Sequence, residues 1–458
     1  MTTEVVRRSH IGCIAALVVF MSTTIPGASE TPDSDVALLT LEDAVQMARR
    51  HNHLLAGTAY TVDEAQEREA ALRTSRLPEL QLDAYEFRWL NDLDFTIPAG
   101  SLGNVPPLGA LPAQDSTISV AEDYGGVAMV SASQPLTQQY KIGLGLEIAG
   151  LDRRIAQEDL RRQRQLVAAE VRTTYYRISA TQQGIVALQD TVRAVEELDA
   201  VTKRYLVEGM VLRSDALEVE ARLALERQRL VAAQSDLTTQ QEHLNQVLGR
   251  EVLTLFRVSE PSELAPPAAA LGLEAARARA LALRAEIRGA SLLTDRAATA
   301  RRLAVSGWIP DLSLTATYAR LMNLDSLPDS VTTVGLYMKW EPFDWGRKGH
   351  EAAERGYQTA RASEGREETE QQITVEVGRR WRDLGDAAAL MEAMRLEQDA
   401  TAASLETDRN RYRENAAILR DVLRTEARLS TARRDFIDAV AAYWSAVARL
   451  ERAIGDEN

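Results

Sequence analysis

The sequence has almost no cysteine, and this scarcity excludes one class of fold. Cys13 is the only cysteine among 458 residues, so no disulfide framework can hold the chain together. Cys13 also precedes most of the apolar run IGCIAALVVFM at residues 11–21, whereas a lipoprotein carries its cysteine after such a run. We therefore expect neither a disulfide nor a lipid anchor.

Histidine is nearly as rare, and its placement argues against a metal site. His51 and His53 stand two residues apart and would point to different faces of a helix, while His243 and His350 are isolated. The motifs GxGxxG and HExxH and the phosphate loop are missing as well. The sequence therefore predicts no metal, no cofactor and no enzymatic activity.

Long apolar runs are also lacking. Outside residues 11–21 nothing approaches the length of about 20 apolar residues that a transmembrane helix needs. That run follows Arg7 and Arg8 and precedes small polar residues, which is the order of a secretory signal, so residues 1–28 are predicted to be a signal peptide. The net charge of -14 argues against a nucleic-acid partner and indicates an acidic, solvated surface.

Proline is absent from two long stretches, between Leu136 and Glu260 and between Phe343 and Asn458. Both stretches are rich in good helix formers, and each has one interruption, near residues 207–210 and 414–417. The sequence therefore predicts one long helical hairpin in each stretch. In the second, the apolar residues fall largely three, four or seven positions apart, as in a coiled-coil seam: Leu419, Val422, Leu423, Leu429, Phe436, Val440, Trp444, Val447 and Leu450.

The most prominent feature that the sequence does contain is an internal repeat. The segment RLPELQLDAYEF at 76–87 recurs as WIPDLSLTATYA at 308–319. Further along, Pro135 matches Pro342, and RY at 204–205 matches RY at 411–412. The first copy carries a longer loop before residue 127. Repetition on this scale indicates one duplicated unit rather than two functions.

Four short segments alternate between apolar and polar residues, which is typical of strands. They are about as long as a strand that crosses an outer membrane, and Tyr85, Trp89, Tyr318, Tyr337 and Trp340 would suit its aromatic girdles. Four strands cannot close a barrel, and an open edge is not tolerated in lipid. The chain is therefore expected to oligomerise, with a homotrimer supplying twelve strands.

These patterns predict an α+β membrane protein with an internal two-fold repeat. The expected boundaries are a signal peptide at 1–28, a first copy at 39–250, a linker at 251–270 and a second copy at 271–458. The first copy would hold helices at 41–76, strands at 79–89 and 126–134, and a long hairpin at 137–248. The second would hold helices at 273–306, strands at 311–320 and 331–340, and a long hairpin at 346–455.

The sequence resembles the TolC family of outer-membrane efflux and secretion channels. The matching segments occur twice in the same order: LTLEDAVQMA and LGLEAARARA, RLPELQL and WIPDLSL, QPL and EPFDWGR, and RYLVEGMVLRSDALEVEARL and RYRENAAILRDVLRTEARL. The resemblance implies a homotrimer with a twelve-stranded β-barrel in the outer-membrane lipid and an α-helical barrel in the periplasm. It implies a passive exit duct of a tripartite efflux pump or type I secretion system, served by a periplasmic adaptor and an inner-membrane transporter of RND, ABC or MFS type.

The resemblance also implies where function resides. The hairpin tips, where family members dock the adaptor, match Val207, Gly209, Met210 and Leu212 in the first copy and Ala416, Ala417, Ile418 and Leu419 in the second. The second tip lacks a glycine at position 416. Acidic gate residues on the second long helix match Glu406 and Asp408, followed by Arg409. Three such carboxylates around an axis would repel one another and attract cations.

Alternatives remain for both the site and the function. Glu406 and Asp408 also fit a solvated helix face on which they pair with nearby arginines. The chain could instead be a periplasmic adaptor or a structural coiled-coil protein of the envelope. An adaptor would have one hairpin and a glycine-rich β domain, and a coiled-coil protein would leave the four strands unexplained. No motif selects among drugs, metal ions and polypeptides as the exported substrate.

Overall fold

The structure is a computed structural model that describes residues 38–90, 94–119, 124–259, 272–323, 328–414, 416 and 418–456. The predicted signal peptide and most of the predicted linker lie outside these ranges. Among the described helices, none combines the length and hydrophobicity that a membrane span requires.

Helices make up most of the described chain. They are α1 Leu41–His51, α2 His53–Thr74, α3 Gln138–Val207, α4 Arg213–Leu248, α5 Leu273–Leu283, α6 Ala285–Val305, α7 Arg347–Arg413 and α8 Leu419–Ile454. The strands are β1 Leu38–Leu39, β2 Glu79–Arg88, β3 Asp94–Ile97, β4 Asn104–Val105, β5 Gly109–Ala110, β6 Ser116–Ser119, β7 Tyr124–Pro135, β8 Arg257–Val258, β9 Asp311–Met322 and β10 Ser330–Lys339.

Two helical hairpins, α3 with α4 and α7 with α8, form the long part of the molecule. Helix α3 has 70 residues and α7 has 67, whereas α4 and α8 have 36 each. At about 1.5 Å per residue, α3 is a rod of about 105 Å, and α4 covers only the half of it nearest the tip. The other half of α3 packs against α2 and α6. The short helices α2 and α6 therefore lie end to end with α4 and α8, the second arms of the two hairpins.

The first joint between these helices is built around Asn52, which interrupts the helical region predicted at 41–76. The Asn52 side chain caps α2 by accepting a hydrogen bond from the Leu55 backbone N–H at 3.0 Å, and its Nδ2 donates to the Val247 carbonyl at the end of α4 at 2.7 Å. Helix α4 ends at Gly249, whose φ is +71° and where an added Cβ would lie 2.0 Å from the His51 carbonyl oxygen. Only glycine fits this contact.

The second joint between helices is held by ion pairs. Arg284 interrupts the helical region predicted at 273–306, and its side chain is only 4% exposed. Its Nη2 donates to Glu286 at 2.6 Å and its Nη1 to Glu376, while Arg452 also pairs with Glu376 at 3.2 Å. These ion pairs tie α6 to α7 and to the end of α8.

Each joint lies beside a compact apolar core. In the first half, Val45, Val171, Ile178, Leu244 and Leu248 are buried together where α1, α3 and α4 meet. In the second half, the corresponding cluster joins α5, α7 and α8 through residues such as Ala280, Val377 and Leu450. These two clusters lie where a short helix meets the end of a second arm, and two smaller apolar clusters lie within the hairpins.

Strands β10, β9, β7 and β2 form one antiparallel sheet in that order. The predicted strands lie at these places, and their observed ends differ from the predicted ends by at most a few residues. Strands β2 and β10 are the sheet edges, and within the described residues neither has a strand on its outer side. The long hairpins leave the sheet at one end only, from β7 and β10.

We expect Arg284→Met to lower the free energy of unfolding by about 3–5 kcal/mol, because it leaves Glu286 partly buried without its partner and Glu376 paired with Arg452 alone. Burial acts to raise the pKa of Glu286, but the hydrogen bonds and charge of Arg284 outweigh it and hold that pKa below its ordinary value. The stabilisation is therefore present above the ordinary pKa and lost as the pH falls through the lowered one. Thermal unfolding of the purified protein at neutral pH and near pH 4 measures both effects.

Arg68→Met is the matched control for this prediction. Arg68 pairs with Glu64 on the same helix, and both side chains are about two-thirds exposed, at 66% and 65%. Its removal should change stability by about 0.5 kcal/mol or less at either pH. Equal effects of the two substitutions would contradict the assigned role of Arg284.

Candidate functional site

The tip of the first hairpin is a tight turn between α3 and α4. Gly209 adopts a left-handed conformation with a φ of +75°, and the Met210 backbone N–H donates to the Tyr205 carbonyl at 2.8 Å, which closes the end of α3. Val207 is 90% exposed, and Met210 and Leu212 are 69% exposed each. The turn therefore projects apolar side chains from the far end of the rod.

The second tip closes with the same hydrogen bonds. The Ala416 N–H donates to the Arg411 carbonyl at 2.8 Å, and the Glu414 N–H to the Asn410 carbonyl at 3.1 Å, as Met210 and Glu208 do in the first tip. Ile418, which precedes α8, is 61% exposed. This tip also carries an exposed apolar side chain.

The hydrogen bonds correct the alignment of the two tips by one residue. Met210 corresponds to Ala416, so the residue that corresponds to Gly209 is Asn415 and not Ala416 as the sequence repeat suggested. Asparagine is among the few non-glycine residues that readily adopt the left-handed conformation. Asn415 and Ala417 lie outside the described residues, as does the side chain of Leu419.

The three predicted gate residues have different surroundings. Asp408 accepts a hydrogen bond from the Thr425 hydroxyl at 2.7 Å, and Arg409 pairs with Glu426 at 3.2 Å. Both contacts join α7 to α8 within one hairpin. Glu406 is exposed and, among the described residues, has no hydrogen bond or ion pair. The structure therefore brings Asp408 and Arg409 into the hairpin seam and leaves Glu406 free on the surface.

Glu406 and Arg409 both line a cleft of about 470 Å³ between α3, α7 and α8 near the tips. Its wall also carries charged side chains of both signs, namely Asp190, Arg413, Glu426 and Arg433. Asp408 is not part of this wall. The cleft is therefore polar, and its charges lie at the boundary between the two hairpins.

Sequence reasoning missed Thr425 and Glu426. Val422 and Leu429 are buried on the seam of α8, and Thr425 lies between them, facing α7. A polar residue in the middle of an otherwise apolar seam is the signal that could have identified it. It could not have identified Asp408 as its partner, because the register of the two arms is not visible in the sequence.

The four-stranded sheet has one apolar and one polar face, as the pairing of its strands shows. Side chains that alternate along the strands point to opposite faces. The apolar face carries Leu80, Leu82, Val130, Leu314, Tyr318, Val334 and Leu336. The polar face carries Gln81, Asp83, Ser131, Ser133, Ser313, Thr315, Thr317 and Thr333. Leu80 and Leu82 are 76% and 72% exposed, so the apolar face is open in the single chain.

Within the described ranges, no group of His, Cys, Asp and Glu side chains is arranged to hold a metal ion. The candidate site therefore consists of two parts at opposite ends of the molecule, namely the hairpin tips with their charged cleft and the two-faced sheet.

Comparison with solved structures shows the fold. The chain superimposes on CusC with a TM-score of 0.74 at 16% identity, covering 91% of this chain and 92% of CusC. The Campylobacter jejuni CmeC outer membrane channel gives a TM-score of 0.75 at 15% identity, covering 91% of this chain and 85% of CmeC. The Vibrio cholerae outer membrane protein VceC gives a TM-score of 0.73 at 16% identity, covering 91% of this chain and 96% of VceC. Among curated proteins, no similar sequence was found.

The sequence profile of one family, described as outer membrane efflux protein, matches residues 44–250 and 276–456. The two matched segments cover most of both halves of the chain. The predicted family and the predicted function as an efflux channel of the outer membrane are thereby confirmed, and the adaptor and structural coiled-coil alternatives are not favoured. The chain belongs to the outer membrane efflux protein family.

Proposed function

We propose that the chain works as a homotrimer whose three sheets close a twelve-stranded barrel in the outer membrane. The observation that carries this proposal is the sheet with two faces and two open edges. Lipid offers no hydrogen bonds, so unpaired backbone groups on β2 and β10 would cost several kcal/mol each. Pairing β2 of one chain with β10 of the next satisfies both edges, and a closed ring of chains leaves none open.

The faces of the sheet assign the inside and the outside of this barrel. The apolar face, with Leu82, Leu314 and Leu336, lies against the hydrocarbon layer. The polar face, with Gln81, Ser131 and Thr317, lines a water-filled lumen. The hairpins continue from one end of the barrel into the periplasm and form a helical tunnel with the lumen.

The two halves of each chain are two copies of one unit, at 39–250 and 271–458, joined by a linker. Support comes from the matching order of the helices and of the four strands of the main sheet in the two halves, and from the equal length of α4 and α8. Three chains then present six hairpins of two kinds around the axis. The tips of both kinds receive a periplasmic adaptor, which couples the duct to an inner-membrane transporter of RND, ABC or MFS type.

The tips also hold the periplasmic gate, formed by Glu406, Asp408 and Arg409. Arg409–Glu426 and Asp408–Thr425 lock the two arms of the second hairpin together, while Glu406 is free to face its symmetry mates. Opening is an untwisting of the inner hairpins at the tips, which moves their two arms apart and which an adaptor can favour by binding the opened form. The conduit itself is passive.

A purified outer-membrane fraction tests the whole proposal. On unheated gels the protein should migrate as a trimer, and boiling should convert it to the monomer. A protein recovered only from the soluble periplasm would contradict it.

We expect Leu314→Arg to disrupt assembly of the barrel, because a charge on the lipid face of a barrel costs up to about 2–4 kcal/mol in each chain. Thr317→Arg is the matched control in the same strand, since Thr317 lies on the polar face and its arginine would meet water. Heat-modifiable trimer in the outer membrane is the measurement. Equal loss of trimer in both variants would contradict the assignment of the two faces.

Arg409→Gln should raise the open probability in planar bilayers about fivefold, because it removes an ion pair worth about 1 kcal/mol between the two arms of the hairpin. Glu406→Gln should lower the open probability, because it removes the mutual repulsion of three carboxylates that opposes the closed ring of tips. Arg395→Gln serves as the control, since Arg395 pairs only with Glu392 and Asp399 on its own helix. If the closed state is unchanged in the first two variants, the gate lies elsewhere.

A further inference from the structure

One segment has no counterpart in the other half of the chain. Between β2 and β7, strands β3, β4, β5 and β6 form a narrow two-stranded ribbon over residues 94–119, which we call the tongue. In the second half, β9 and β10 are separated only by residues 323–329. The tongue extends from the end of the sheet that is opposite to the helices.

The tongue is amphipathic. Phe95 pairs with Ile118 on one face, and Thr96 pairs with Thr117 on the other, where the two hydroxyl oxygens are 3.2 Å apart. Phe95 is 61% exposed and Ile118 is 46% exposed. The described residues therefore leave the apolar face of the ribbon uncovered.

The end of the tongue is ordered by its own backbone yet remains apolar on its surface. Leu102 donates to the Leu111 carbonyl at 3.0 Å, and Leu111 donates to the Gly103 carbonyl at 2.9 Å. Leu102 and Leu108 are nevertheless 73% and 75% exposed. An isolated two-stranded ribbon is marginally stable in water, so an ordered apolar ribbon needs a surface to pack against.

The polarity of the sheet inverts just below the tongue. Along the lumenal face, the polar side chains give way toward the outer end to an apolar collar made of Tyr85, Phe87, Trp89, Val127 and Leu321. Phe87 and Trp89 contact each other edge to face with centroids 5.0 Å apart. On the opposite face, the outer end carries Glu86, Arg88 and Arg320 instead. The inner wall of the mouth is thus apolar where the outer wall is charged.

Charge disfavours a lipid surface as the cover of the tongue. No lysine, arginine or histidine occurs between Arg88 and Lys141, whereas Asp94 and Asp115 lie within the tongue. Anionic headgroups attract basic segments and repel acidic ones. The cover is therefore a protein surface, and β2, from which the tongue grows, is the edge strand that must pair with the next chain.

We propose that the three tongues of the trimer converge over the mouth of the barrel and close it by packing their apolar faces against one another and against the collar. The inference rests on the trimeric barrel proposed above. An apolar constriction excludes water and ions without a covalent or charged lock, so the tongues form an outer gate in series with the periplasmic tips.

Cysteine labelling in intact cells tests the outer gate separately from the tips, because a reagent added outside meets only the mouth. In a Cys13→Ser background, Ser131→Cys places one thiol on the lumenal face. A membrane-impermeant maleimide should label it slowly with the native tongue and about tenfold faster with Phe95→Ser and Ile118→Ser together. Thr96→Ser with Thr117→Ser, on the polar face, should leave the rate unchanged. Equal rates in all three proteins would overturn the gate.

Two further measurements separate the gate from the trimer. Thr117→Cys alone should label rapidly in intact cells, and unheated gels should show the trimer in every variant. If the thiol at position 117 is not labelled and no trimer appears on unheated gels, the trimeric barrel itself is refuted, and not only the gate.

Leu108→Cys should give disulfide-linked chain dimers on mild oxidation, since three tongue ends meet at the axis. A trimer that labels at position 117 but never cross-links at position 108 would overturn the convergence of the tongues.

Discussion

Backbone hydrogen bonding at the edges of one small sheet is the constraint on which the rest of this structure depends. Within the described residues, β2 and β10 end the sheet with N–H and C=O groups that no further strand pairs, and the hydrocarbon layer of a membrane supplies no partner for them. In the proposed trimer, the edges pair with other copies of the chain and the sheets form a ring. Such a ring would give each sheet a dry outside and a wet inside, which agrees with the opposite faces of Leu314 and Thr317 on β9.

In the proposed assembly, the helical part continues the ring over a length of about 105 Å, and none of the described helix pairs spans this length alone. The chain lays a short helix and a 36-residue arm end to end along each long helix, and the weak point is the joint between them. Asn52 and Arg284 occupy equivalent joints with different chemistry. A neutral amide with two hydrogen bonds holds the first, and a buried guanidinium that is ion-paired with two carboxylates holds the second.

The two halves therefore keep matching positions with different side chains. The tips show the same difference, since Met210 and Ala416 occupy corresponding positions in turns that close with the same hydrogen bonds. Near the tips the second hairpin has the polar pair Asp408–Thr425 in its seam, whereas the first has Val219 at the place that corresponds to Thr425. The free energy needed to separate the two arms therefore differs between the two hairpins, although the hairpins have similar lengths.

Much of the fold could be predicted because it follows from local patterns of residue types in the sequence. The absence of proline over both long stretches predicted α3 with α4 and α7 with α8, and the alternation around Leu314 predicted β9 close to its observed ends. The breaks at Asn52 and Arg284 are not visible in the periodicity of the sequence. Asn52 caps α2 locally, and the side chains of both residues also reach the end of another helix far along the chain. The sequence predicts a loop where the tongue lies, because the strands of the tongue are short and the segments between them are rich in proline and glycine.

The sequence by itself determined the element types, the repeat and the membership of an outer-membrane family, since these follow from periodicity, composition and motif order. Only the tertiary structure decided which side chains meet. It placed Asp408 against Thr425 and Arg409 against Glu426, and it aligned Tyr85, Val127 and Leu321 in one row of the collar. Such contacts depend on the register between segments that are distant in the chain, and register is set by packing and hydrogen bonding across the whole assembly rather than by any local pattern.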